Sequence, residues 1–136
     1  MGAEQVDDGL SVEQVERDSW GPPPHDATRL VATVHELRRK PLRALTPEDL
    51  RLLVGQQVGL SLLVPRALAL LERDPLTEGD LYPGDLLASV VRVPAPYWRA
   101  HPEHLRRLER VLDAVDARGA GLTADIDGFR ARLRDG

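Results

Sequence analysis

Apolar residues recur along this chain at intervals of three and four, a spacing that predicts helices. Leu30, Val31, Val34 and Leu37 share one side of a helix opened by Thr28, and Arg38, Arg39 and Lys40 follow where the helix dipole favours cations. Pro41 ends it. The clearest start comes next, with Thr46 as N-cap, Pro47 at the first helical position, Glu48 and Asp49 in the first turn, then Leu50, Leu52, Leu53 and Val54. Gly55 and Gly59 either end that helix or admit a close backbone approach. The stretch from Leu60 to Leu71 is nearly all apolar and reads as the centre of the core, with Pro65 as the first-turn residue of a helix running to Arg73. Pro83 and Asp85 suit the start of a short helix carrying Leu86, Leu87, Val90 and Val91, which Pro94 and Pro96 break.

Leu105, Leu108, Val111, Leu112 and Val115 form the apolar side of a long amphipathic stretch from Pro102 to Gly119. Thr123 can then cap a last helix with Ile126, Phe129, Arg130 and Leu133 on one side. No alternation of period two and no hairpin signal between β-branched runs is present. The expected fold is all-α, one compact domain of about six or seven short helices, with strands a minor component at most.

Residues 1–27 read as an acidic N-terminal segment with a short helix and a Pro-rich connector, and residues 28–136 as the helical domain. Six acids stand in the first 18 residues against one base, Arg17. The first ten residues are expected to be loose. Ser11 with Gln14 resembles a capping box for the short helix, edged by Val12, Val15 and Trp20. Gly21-Pro22-Pro23-Pro24 stops it.

Composition narrows the functional classes. At 136 residues, 42% apolar and 29% charged, the chain is an ordinary globular domain. The absence of cysteine removes disulfide scaffolds, thiolate metal sites and thiol nucleophiles. Acidic residues stand where a signal peptide needs a basic start, and the longest apolar-rich stretch, Val58 to Leu71, is shorter than the ~20 residues that span a bilayer. A soluble, cytoplasmic protein without membrane contact is expected. The net charge of −4 argues against direct nucleic-acid binding and for a cationic partner. All but one of the eighteen basic residues are Arg, the exception being Lys40, a bias that base composition alone can produce.

No catalytic constellation emerges. His101 and His104 are three apart at a helix start, but a closed zinc site needs about four ligands and no third is near, so no metal and no cofactor is expected. His35 lacks a nucleophile elbow to serve, since the sequence around Ser61 has no second Gly, and neither a phosphate-binding loop nor a dinucleotide fingerprint is present. Glu48 and Asp49 are explained by helix capping and the dipole. The acids Glu72, Asp74, Glu78, Asp80 and Asp85 differ, because from Asp74 to Asp85 no base offsets them and Pro75, Gly79 and Pro83 stiffen the loop. Such a patch can dock a basic surface and speed the encounter, although solvated loops are also commonly acidic. Tyr82, Tyr97 and Trp98 are three of the five aromatic residues. Tyr97 and Trp98 suit either an interface anchor or, more simply, core filling at a helix junction.

The ordered series Leu37-Arg38-Arg39-Lys40-Pro41-Leu42, Leu45-Thr46-Pro47-Glu48-Asp49-Leu50 continuing to Val54-Gly55-Gln56-Gln57-Val58-Gly59-Leu60, Leu63-Val64-Pro65-Arg66-Ala67-Leu68 and Pro75-Leu76-Thr77-Glu78-Gly79-Asp80-Leu81-Tyr82-Pro83-Gly84-Asp85 resembles the immunity proteins of contact-dependent growth inhibition systems. The likeness covers residues 28–98, roughly half the chain. It implies a small helical cytoplasmic protein that binds the toxic C-terminal domain of a cognate effector, commonly a nuclease, and blocks it by stoichiometric occlusion without turnover. The partner-binding residues expected on this reading are Glu72, Asp74, Glu78, Asp80, Tyr82 and Asp85. Two other readings stay open: a helical adaptor or regulator that keeps the immunity scaffold, and an enzyme working through His35 with acids of the 72–85 stretch. Toxin identity and oligomeric state are not encoded legibly.

Overall fold

A computed structural model describes residues 7–135, and these residues are all-α, with nine α-helices and no strand beyond two isolated bridges, Ser11 to Pro41 and Glu78 to Pro83. The chain divides into two compact units at Thr46/Pro47.

In the first unit, α1 (Val12–Glu16) begins with the anticipated capping box: the Ser11 hydroxyl accepts from Gln14 N–H, and the Gln14 side chain accepts from Ser11 N–H. Helix α2 (Arg29–Leu37) is capped by Thr28, whose hydroxyl accepts from Val31 N–H at 3.2 Å. Helix α2 stops at Leu37, so Arg38 is not a cation at a helix end exposed to water. Its side chain is 1% exposed, packed under the Trp20 indole with its guanidinium carbon 3.9 Å from the ring centroid. Arg38 Nη2 donates to the Asp18 carbonyl at 2.8 Å and to Glu16 Oε1 at 3.3 Å, and Glu13 and Asp18 carboxylates lie at 4.0 and 3.9 Å. Glu13, Glu16 and Asp18 are thereby gathered around one cation, which offsets part of its desolvation, while its Nε and Nη1 have no hydrogen-bond partner among the described residues. The expectation of a loose start falls partly on residues 1–6, outside the described residues. Residues 8 and 10 are held, because their carbonyls accept from Arg43 and Leu42 N–H in the 3-10 turn Leu42–Ala44.

The second unit contains α3 (Pro47–Gly55), α4 (Leu60–Arg73), α5 (Asp85–Val91), α6 (Ala95–Ala100), α7 (Pro102–Ala114), α8 (Ala117–Ala120) and α9 (Thr123–Asp135). Helix α5 is the hub, packed on α3, α4 and α9, while α7 lies against α4 and α6. The expected apolar positions fill the interior: Leu53, Leu63, Leu68, Leu71, Leu86, Leu87, Val90 and Leu108 are all fully buried. Trp98 is fully buried too, its indole N–H donating to the Val93 carbonyl at 3.0 Å and its ring meeting Phe129 edge to face at 5.9 Å.

The helix count exceeds the expected six or seven for two local reasons. Pro94 and Pro96, read as breakers of α5, also open α6: Pro94 is its N-cap residue and Pro96 lies in its first turn, where a missing N–H costs nothing. The amphipathic run expected to reach Gly119 ends at Ala114, because Val115 turns extended and the Asp116 carboxylate accepts from Gly119 N–H to start α8. Helix α4 also starts a turn and a half before Pro65. The carbonyl that Pro65 cannot pair belongs to Ser61, which is exposed, so water can take that place. Between α3 and α4 the left-handed positions are Gln57 and Gly59, not Gly55.

Replacing Trp98 with Ala is expected to destabilise the protein by about 3–5 kcal/mol, since it removes a fully buried aromatic and unpairs the Val93 carbonyl. Urea unfolding followed by circular dichroism measures this; a loss below about 1 kcal/mol would contradict the core assignment.

Candidate functional site

The acidic stretch between α4 and α5 is a closed loop whose path is set by two carboxylates. The first is Asp85, at the start of α5 and only 2% exposed. Its Oδ1 accepts from Gly79 N–H at 2.6 Å, and its Oδ2 accepts from Leu81 N–H at 2.9 Å and from Tyr82 N–H at 3.4 Å. A buried carboxylate needs such donors to replace water. The second is Glu48 in the first turn of α3, whose Oε1 accepts from Asp80 N–H at 2.9 Å. Arg51, one helical turn on, grips Glu48 with both arms of its guanidinium and lies 3.8 Å from Asp85 Oδ2, linking the two acids.

The base of the loop is tied separately. Gly84 N–H donates to the Leu76 carbonyl at 3.2 Å, Leu76 N–H donates to Asp74 Oδ1 at 3.0 Å, and Glu78 bridges to Pro83. Gly79 is required for a steric reason. A Cβ there would stand 2.6 Å from Glu48 Oε1 and within 3.3 Å of both Asp85 oxygens.

What this framework presents outward is mixed. Asp74, Glu78 and Asp80 are exposed and among the described residues their carboxylates have no ion-pair partner. Between and beside them stand Leu81, 61% exposed, and Tyr82, 39% exposed. Of the six residues expected to bind a partner, Asp74, Glu78, Asp80 and Tyr82 thus share one accessible loop. Asp85 is beneath it, holding its backbone. Glu72 stands at the end of α4, paired through both oxygens with Arg107 of α7 at 2.8 and 2.9 Å. Leu81 was not singled out from the sequence, although a Leu-Tyr pair between Asp80 and Pro83 in an acidic loop is a readable sign. In the sequence Glu48 reads as a helix-start acid, and its bond to a residue 32 positions away has no local signature.

The ion pairs shift the ionisation of their members. The Arg51 hydrogen bonds, helped by Asp80 N–H, hold the Glu48 carboxyl below its ordinary value of 4.5 and raise Arg51 in turn. Arg107 lowers Glu72 in the same way.

His101 and His104 pack together on an aromatic side chain. His101 and His104 stack in parallel with ring centroids 5.2 Å apart, beside Tyr97. His101 Nδ1 donates to the Tyr97 carbonyl at 2.9 Å, and the Tyr97 hydroxyl lies 2.9 Å from His104 Nδ1. Burial, with Glu103 nearby, pushes Tyr97 up to about 12, and burial lowers His104. Among the described residues no group of three or more His, Asp or Glu is arranged to hold a metal ion. His35 packs edge to face on Trp20, with its Nδ1 3.2 Å from the Gly21 carbonyl. No helix of the described residues is long and apolar enough to cross a membrane.

The sequence model of one family, described as CDI immunity proteins, matches residues 14–108, a span that contains the whole loop and both carboxylates beneath it. No curated protein and no solved structure matches the chain.

The lowered Glu48 pKa fixes a sign. A carboxylate depressed by folding contributes stability that is present above its unfolded value and is lost as pH falls through the folded one. Protection of the Asp80 amide against hydrogen exchange is therefore expected to drop as pH falls below 4.5, and Glu48→Gln to remove most of that pH dependence. Protection unchanged between neutral and acid pH in the parent protein would contradict the role given to Glu48.

Proposed function

The chain belongs to the family of CDI immunity proteins, and from that premise we propose that it binds the toxic domain of a cognate contact-dependent effector through the loop of residues 74–83 and neutralises it by stoichiometric occlusion in the cytoplasm. The observation that carries the reading is the pairing of exposed Leu81 and Tyr82 with three carboxylates that form no ion pair among the described residues, Asp74, Glu78 and Asp80, on a loop held from below by Asp85 and Glu48. Each component has a physical use. The carboxylates attract a cationic partner such as a nuclease and raise the association rate, and the aromatic and aliphatic side chains supply apolar area to desolvate on contact. The fixed backbone lowers the entropy lost on docking.

This role needs no cofactor and no turnover. Asp85 acts as a positioning residue, so its reversal would test the loop's integrity and not its surface. The informative substitutions are those whose side chains leave the framework intact. Glu78→Lys with Asp80→Lys is expected to slow association with the toxin domain by about tenfold or more at low salt while leaving the unfolding midpoint nearly unchanged. Tyr82→Ala is expected to weaken the complex by about 2 kcal/mol.

The partner to use is the C-terminal domain of whatever large secreted effector is encoded beside this chain. Co-expression should restore growth, with stopped-flow and calorimetry giving rates and a one-to-one stoichiometry. Unchanged association kinetics for the double reversal would move the interface off the loop. Absence of both rescue and binding would favour an adaptor or regulator built on the same scaffold.

A further inference from the structure

A second surface of the same unit carries charge that the loop does not use. A groove of about 520 Å³ is lined by Glu109 and Asp113 of α7 and by Phe129, Arg130, Leu133 and Arg134 of α9. Its floor is apolar, formed by the buried Phe129 and the half-buried Leu133. Its walls are of opposite sign. Glu109 and Asp113 are four residues apart on one helix and Arg130 and Arg134 four apart on the other, so each pair projects from a single helix face. All four side chains are exposed, and none forms an ion pair with a described residue. Adjacent rows of acid and base that do not close on each other leave both rows available.

A partner of one charge sign would satisfy one wall and be repelled by the other. The pattern instead maps onto itself. Rotation by 180° about an axis lying in this face and running along the groove, between the two rows, turns a second copy to face the first with an acidic row over a basic row and a basic row over an acidic one, which is the requirement for an isologous two-fold interface. We propose that this face joins two copies of the chain, with Glu109 and Asp113 of each protomer meeting Arg130 and Arg134 of its partner. Both helices are 13 residues long, about 20 Å at 1.5 Å per residue. A face of about 20 by 20 Å buries roughly 800 Å² in total from both copies, below the range of stable complexes. The dimer is accordingly weak, formed at high concentration and dissociated by salt. All four charged residues lie outside the matched span 14–108, so the family assignment does not supply this contact.

Sedimentation velocity on the full chain tests the proposal between about 5 and about 500 µM, at about 0.05 and about 0.5 M salt. The parent protein should sediment faster as concentration rises at low salt and as a monomer at high salt. Glu109→Lys with Asp113→Lys should remain monomeric, as should Arg130→Glu with Arg134→Glu. An equal mixture of these two variants should form a heterodimer tighter than the parent dimer, because the diagonal neighbours across the interface, like-charged in the parent, then also carry opposite charges. Circular dichroism confirms that each variant is folded, and Glu109→Gln with Asp113→Asn serves in place of a reversal that is not, with weakened self-association expected. A parent protein monomeric throughout at low salt, or a variant mixture that stays monomeric, overturns the proposal. So does a monomeric free chain whose toxin binding is lost on reversing these charges, since the groove would then belong to the toxin.

Discussion

A carboxylate withdrawn from water must be met by donors, and the loop between α4 and α5 takes its shape from that requirement. Asp85 sits at the N-terminal end of α5, where the helix dipole favours an anion, and collects N–H groups from Gly79, Leu81 and Tyr82. Those bonds turn the backbone around one point and drive the side chains of residues 80–82 outward. Glu48 accepts from a fourth N–H of the loop, that of Asp80, and Arg51 lies between the two acids and offsets their repulsion. An acidic, apolar-tipped loop stands off the unit because the charge at its centre is satisfied from its own backbone.

The same economy appears in the first unit with the signs reversed. There a single buried cation, Arg38, gathers the carbonyl of Asp18 and the carboxylates of Glu13, Glu16 and Asp18, and Trp20 covers it. In each unit one buried charge organises a stretch of chain that has few large apolar residues to anchor it. Ion pairs of this kind contribute little when solvated, and their weight here comes from burial of one member.

Local chemistry made much of the fold legible. The capping box at Ser11 and Gln14, the Thr28 cap and the Pro47 start of α3 all depend on residues within four positions of one another, and each stands where the pattern put it. The elements that escaped are those where tertiary context decides. Pro65 reads as a helix start, yet α4 begins at Leu60 because its apolar face continues through the proline into the core. Arg38 looks like a helix-end cation until Glu13, Glu16 and Asp18 close around it. The acidic loop was visible as composition, and Asp74, Glu78, Asp80 and Tyr82 do share its surface. That Asp85 is buried while Leu81 is exposed follows from the path of the backbone, which no spacing rule in residues 74–85 encodes.

Residues Glu78 to Tyr82, held from beneath, are the proposed contact with the toxin domain. The most direct measurement is a backbone amide chemical-shift map of the labelled chain on titration with that domain. The largest changes are expected at residues 78–82, with smaller ones at Glu48, Arg51 and Asp85 as the framework responds. Changes concentrated in α2 or along α7 and α9, with residues 78–82 unmoved, would contradict that contact.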